Sequence, residues 1–368
     1  MPLRAMNDLA AHNASLAGEL TAAVTRVVGS GWYVLGAEVT AFEAAFAGFC
    51  GVPHAIGVAN GTDALELALA SVGVGRDDAV ALVANAGGYG TTAVNALGAT
   101  ARYVDVDADT MLIDPVSLDR VLSAGNVRAV VVTHLYGRLA AMPALLAVAA
   151  AHGVRVVEDC AQAHGAADED GRRAGAFGDV AAFSFYPTKN LGALGDAGAV
   201  VTADAEVAQR VTRLRQYGWD RKYRQVLAPA RNSRLDEIQA AVLSVKLPHV
   251  PGWNARRVEI AARYAAAIVH PKVTLPAVAA PGHVAHLYVV RTADRDGLAA
   301  HLRAQGVPCE VHYPLPDHRQ PAAGDRHAGV SLPVTEQLCG EVLSLPNYPE
   351  MRDADVDAVV AAVNRWGA

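Results

Sequence analysis

Only four of the 31 lysine and arginine residues in this 368-residue chain are lysines. One of them, Lys189, sits in Phe183-Ser184-Phe185-Tyr186-Pro187-Thr188-Lys189-Asn190-Leu191-Gly192, after an apolar run and before a glycine-punctuated turn. Arginine supplies nearly all the positive charge, yet a guanidinium stays protonated and cannot attack a carbonyl. A lysine amine can, once burial or a neighbouring charge lowers its pKa. Taken alone, this segment is equally an ordinary loop lysine.

Two further segments change that balance. In Val58-Ala59-Asn60-Gly61-Thr62-Asp63-Ala64-Leu65 a strand gives way to a helix, with Asn60 as N-cap and Gly61 admitting a close backbone approach. Such a helix start suits a phosphate, although many helices begin this way with nothing bound. In Val156-Val157-Glu158-Asp159-Cys160-Ala161-Gln162-Ala163-His164-Gly165 an apolar strand runs into two carboxylates at its C-terminal end, where open α/β sheets bind ligands. A carboxylate held there can keep a pyridine nitrogen protonated; the plainer alternative is a helix cap. In this order, a helix-start phosphate site, a strand-end aspartate and a loop lysine imply pyridoxal phosphate held as a Schiff base on Lys189.

The elements that must position these groups alternate along the first two-thirds of the chain. Residues 55–59, 79–84, 101–106, 129–133, 154–158, 180–185 and 198–202 read as short apolar strands, with amphipathic stretches such as 63–71 and 142–152 between them. That pattern predicts an α/β fold, a mostly parallel sheet covered by helices on both faces. Pro248 and Pro251 interrupt the chain, and a helix is expected over 254–269, a strand at 287–291, a helix near 294–305 and a strand at 309–313. The expected division is a large cofactor-binding domain, 1–248, and a smaller α/β domain, 249–368.

Composition narrows the class. The chain is 52% hydrophobic and 18% charged, with net charge −6 and no basic run to neutralise phosphates, so nucleic acid is not an expected partner. Cys50, Cys160, Cys309 and Cys339 are scattered without a CxxC pair, which indicates neither a zinc site nor a disulfide framework. The N-terminal segment 1–18 lacks a signal-peptide core, and the apolar stretch 139–151 is broken by Pro143 and too short for a bilayer. A soluble cytoplasmic protein without a metal is expected.

The segments 60–65, 158–165, 184–192 and Asn232-Ser233-Arg234-Leu235-Asp236-Glu237-Ile238-Gln239-Ala240 closely resemble the DegT/DnrJ/EryC1/StrS sugar aminotransferases, and the likeness runs from about Gly31 to Pro346. The resemblance implies a fold-type I pyridoxal-phosphate enzyme. It makes Lys189 the Schiff-base lysine and proton carrier, and Asp159 the partner of the ring nitrogen. Gln162 would lie near the phenolic oxygen, Gly61, Thr62 and Ser184 at the phosphate, and Tyr89 against the ring. Asn232 would reach the phosphate of a neighbouring subunit, completing the site in a homodimer. Tyr186, His312, Tyr313 and His318 are the expected substrate contacts. A cationic, aromatic stretch, 217–224, could meet a diphosphate or form a solvated face.

The implied reaction transfers an amino group from an amino acid, L-glutamate, to a nucleotide-linked keto sugar. Residues 186–192 resemble members acting at C3 of 3-keto-6-deoxyhexoses, with C4 or another keto sugar or cyclitol as the alternative. Departures from the family pattern fall in the glycine-rich loop Asn85-Ala86-Gly87-Gly88-Tyr89-Gly90-Thr91-Thr92, in 318–322 and in 346–349, which bear on substrate choice. Two rival classes are a pyridoxal-phosphate sugar dehydratase, against which Lys189 argues because those relatives carry histidine there, and a non-catalytic regulatory homologue.

Overall fold

The computed structural model describes residues 5–277 and 282–367. Residues 1–4 of the N-terminal segment, and 278–281 and 368 of the expected smaller domain, lie outside the described residues. Seven strands form the main sheet: β1 (His54–Val58), β2 (Ala79–Val83), β3 (Thr100–Val104), β4 (Ala129–Thr133), β5 (Arg155–Asp159), β6 (Val180–Ser184) and β7 (Gly198–Thr202). Their order is β1-β7-β6-β5-β4-β2-β3. Only β7 runs against its neighbours, β1 and β6.

The physical basis is visible in the burial. Ala79–Val83, Ala129–Thr133 and Gly198–Thr202 are buried at every position, as a sheet covered on both faces requires. The edge strand β3 instead alternates, with Thr100 and Arg102 exposed, which blunts its free edge. Helix Gly61–Ser71 is buried from Ala64 to Ser71 against the sheet. Helix Ala37–Cys50 starts at Gly36, which has no side chain to cap it. Glu237 does so from a distance, accepting the N–H groups of Gly36, Glu38 and Val39 at 2.7, 2.9 and 3.0 Å.

Beyond residue 217 come a hairpin, β8 (Trp219–Arg221) with β9 (Arg224–Gln225), and the antiparallel pair β10 (Tyr288–Arg291) with β11 (Val342–Leu345). The last pair shares a core with helices Val250–Ala267, Arg295–Ala304 and Asp353–Asn364, built from Ile260, Tyr264, Tyr288, Leu302, Leu343 and Val359. Val289, Leu338 and Val342 pack instead with Val83, Val104 and Leu135, which seats this C-terminal unit on the main sheet.

The strand expected at 309–313 is absent. Glu310 makes a single bridge to Ser344, and Pro314 and Pro316 carry no N–H with which to extend a ladder. The four cysteines are buried and unpaired with one another. Among the described residues no helix is long and apolar enough to cross a membrane.

Candidate active site

The C-terminal ends of β1, β4, β5 and β6 and the N-terminal end of β7 share one edge of the sheet. Register aligns their chemistry: Thr133 is opposite Asp159, and Ser184 is opposite Gly198. Above this edge opens a cavity of about 810 Å³ whose wall brings together Gly61, Thr62, Tyr89, Asp159, Gln162, Ser184, Tyr186, Lys189, His312 and Tyr313.

Lys189 is positioned by a tight turn in which its N–H donates to the Tyr186 carbonyl at 2.8 Å. Its neighbour Asn190 is buried and clamped: Nδ2 donates to Asn254 Oδ1 at 2.7 Å, and Oδ1 accepts from His286 Nδ1 at 2.8 Å. A buried lysine, Lys246, donates to the Gly192 carbonyl at 2.9 Å and closes the loop from behind. Burial lowers the Lys189 amine to about 8, with the field of Asp159 opposing that fall. Burial likewise raises the Asp159 carboxyl, against the Ala161 N–H and the charge of Lys189. Each group is thus moved toward its neutral form by the dry site and held back by the other.

Asp159 accepts from Ala161 N–H at 3.1 Å and Thr133 Oγ1 at 3.4 Å, but no helix follows it to be capped. Its neighbour Glu158 points to the opposite face. There it takes a hydrogen bond from His134 Nε2 at 2.9 Å and three more from the N–H groups of Gly175, Phe177 and Gly178. His134, Glu158 and Cys160 offer their ligand atoms within 4.8 Å of one another. Glu158 is nevertheless saturated by these donors, and His134 Nδ1 already accepts from the Ala140 N–H, so the cluster anchors β5.

At the helix start, Asn60 Oδ1 accepts from the Asp63 N–H at 2.8 Å. The amides of Gly61 and Thr62, in the first turn, have no acceptor within their own helix, and both residues line the cavity. Gly61 lies so close to β6 that an added Cβ would stand 2.5 Å from Ser184 Cβ. The opposite wall is equally tight. Gly87 has φ +79°, and a Cβ there would meet the Tyr313 ring at 2.8 Å, so the glycine-rich loop makes room for that tyrosine. Tyr313 is held by Gln162 Nε2 at 3.2 Å, while Gln162 Oε1 accepts the Tyr136 N–H. Tyr89 is 53% exposed at the cavity rim, edge-on to Tyr313.

Two sequence candidates fall outside this wall. His318 is 3% exposed, with Nε2 2.8 Å from Glu336 Oε1. It is turned away because the preceding Asp317 points to the loop instead, where Oδ2 accepts from Thr91 Oγ1 at 2.6 Å. Through Thr91, Asp317 ties down the first turn of the helix Tyr89–Ala96, whose own N-cap Gly88 has no side chain. Asn232 is exposed, on a backbone bridge to Gln216, and is not part of the wall formed by its own chain. Conversely Thr133, Arg257, His286 and Asn347 line the cavity without standing among the sequence candidates. A signal exists for Arg257, which with Asn254 interrupts the apolar face of helix Val250–Ala267.

A half-buried lysine and a buried carboxylate on one cavity wall, beside a helix start on the C-terminal edge of an open sheet, define a site for carbonyl–amine chemistry. The chain belongs to the DegT/DnrJ/EryC1/StrS aminotransferase family, whose model matches residues 14–364. It is 45% identical over 363 residues to the dTDP-3-amino-3,4,6-trideoxy-alpha-D-glucose transaminase of Streptomyces venezuelae, covering 98% of this chain and 95% of that one. It superposes on S. venezuelae DesV, solved in complex with a ketimine intermediate, with TM-score 0.94 and 44% identity over 100% and 99% of the two chains. Bacillus subtilis NtdA, solved with bound cofactor PMP, gives TM-score 0.89 at 27% identity over 95% and 81%. The enzyme is a transaminase.

Proposed function

We propose that this transaminase holds pyridoxal 5′-phosphate in the cavity and transfers the amino group of L-glutamate to C3 of a dTDP-linked 3-keto-6-deoxyhexose. The observation that carries the reading is the coupled pair of Lys189 and Asp159 on the same cavity wall as the Gly61–Thr62 helix start. The residues fit the cofactor: there are a lysine for its aldehyde, a carboxylate for its ring nitrogen, and backbone N–H groups with Thr62 and Ser184 for its phosphate. The steric closeness of Gly61 and Ser184 shapes that phosphate cradle. When bound, the cofactor supplies an electron sink for cleavage of the Cα–H bond.

The chain's own residues divide the remaining work. Lys189 Nζ, with its lowered pKa, would hold the cofactor's aldehyde as a free amine and, when released, would serve as the proton carrier. Asp159 would supply the carboxylate for the ring nitrogen. Tyr89 and Tyr313 exclude water from one face of the cavity, and Gln162 fixes the Tyr313 hydroxyl. His312 and Tyr186 stand at the substrate side of the wall. Asn232 reaches the phosphate of a second copy, so the working unit is a homodimer. A division near residue 248 lets the C-terminal unit carry the substrate loop at 312–317. Support for C3 comes from the C3-amino product in the name of the S. venezuelae relative.

The test begins with purified protein mixed with pyridoxal phosphate. A visible absorbance that is lost in Lys189→Ala, followed by its bleaching with L-glutamate, supports the reading. Incubation with keto-sugar nucleotides, or with amino sugars in reverse, then identifies the carbon. A colourless wild type, or amination at C4 alone, refutes the corresponding part.

A further inference from the structure

Resting on the function proposed above, we infer that Arg257 is the seat for a carboxylate of the amino-acid donor. Arg257 lies on the inward face of helix Val250–Ala267 and is 4% exposed, yet it lines the cavity. Its Nη1 donates to the carbonyl oxygens of Asn347 and His286, and its Nε has no partner. Among the described residues no carboxylate pairs with it. The acid whose field it feels is Glu350, which is shared with buried Lys246 and already bonded to His12 at 2.7 Å. One carboxylate therefore serves two buried cations.

A buried cation held only by carbonyl oxygens is costly unless an anion joins it. Consistent with that deficit, burial pulls the guanidinium down to about 10. The wall of a ligand cavity is where the missing anion can arrive, and a transaminase must admit an amino acid, whose α-carboxylate is two bonds from the reacting nitrogen. Arg257 is placed for that span. His286 feels the charges of both Lys189 and Arg257, donates to Asn190 beside Lys189, and accepts from Arg257 through its carbonyl. The guanidinium fork matches a carboxylate through two parallel hydrogen bonds. The sugar nucleotide's diphosphate is the other anion, but it is remote from the reacting carbon.

The test uses cofactor-loaded wild type, Arg257→Gln and Arg257→Lys, with glutarate as an unreactive dicarboxylate and dTDP as the phosphate probe, both by calorimetry. Glutarate affinity is expected to fall at least about tenfold in Arg257→Gln and by less in Arg257→Lys, with dTDP affinity unchanged. Equal glutarate affinity in all three proteins, or a loss confined to dTDP, overturns the assignment. Should Arg257→Gln fail to fold, the lysine variant decides: undiminished glutarate binding there is a refutation. Loss of the visible cofactor band in wild type would instead sink the function on which this rests.

Discussion

The pH dependence of cofactor capture offers the most direct measurement of what the fold does to Lys189. An ordinary lysine titrates at 10.5, and this one is lowered to about 8 by burial. At pH 7 the free-amine fraction is then about one in ten, against about one in three thousand for an exposed lysine, a difference of roughly 300-fold. Apoprotein mixed with pyridoxal phosphate between pH 6 and 10 should bind it at a rate that climbs about tenfold per pH unit up to about 8 and then flattens. Stopped-flow absorbance of the covalently held cofactor reads this directly. Asp159 works in the opposite direction, since its charge raises the amine's pKa. Asp159→Asn should therefore move the midpoint below 8 and speed capture at pH 7, while turnover collapses for want of a charge at the ring nitrogen. Linkage gives a second check. Between about 8 and 10.5 the unfolded chain binds more protons at this lysine than the folded one, so apoprotein stability gains from it as pH rises and loses it as pH falls through 8. A capture rate still rising tenfold per unit at pH 10, or a midpoint untouched by Asp159→Asn, would refute the reasoning.

Three other outcomes follow from the geometry. Burial raises the Asp317 carboxyl to about 6, so the folded state favours its protonated form and its stabilising share is lost as pH rises from about 4 to 6. Asp317→Asn keeps an acceptor for Thr91, and in urea melts it should gain up to about 3 kcal/mol relative to wild type between pH 4 and 7; a relative loss contradicts this. Gly61→Ala places a methyl 2.5 Å from Ser184 Cβ. It should weaken pyridoxal-phosphate binding about tenfold or more in equilibrium dialysis while the circular dichroism spectrum stays unchanged. Glu237→Ala removes the acceptor of three backbone N–H groups and should cost about 3 kcal/mol or more in denaturant melts. A change under 1 kcal/mol would mean that water replaces the carboxylate.

Much of the scaffold was legible because its strands are short runs of β-branched residues between helical stretches. The expected strands at 129–133 and 198–202 coincide with β4 and β7, and the other five of the main sheet end within two residues of their observed limits. The strand expected at 309–313 did not form: Glu310 alone bridges, to Ser344, and the prolines that follow carry no N–H to extend a ladder. His318 reads like a polar loop residue, but burial of its ring against Glu336 depends on which way Asp317 turns. That choice is made by Thr91, more than two hundred residues earlier in the chain.

Local order along the chain was enough to determine the alternation of strands and helices and the helix start at Asn60, and to single out Lys189 and Asp159 as candidates. Those properties depend on neighbours within a few residues, so they are written where they act. Tertiary structure alone decided that Lys189 shares a cavity wall with Asp159, that Tyr313 rests on Gly87, and that Arg257 faces the cavity short of an anion. Burial and charge balance are sums over atoms that only folding brings together, and no stretch of sequence contains them.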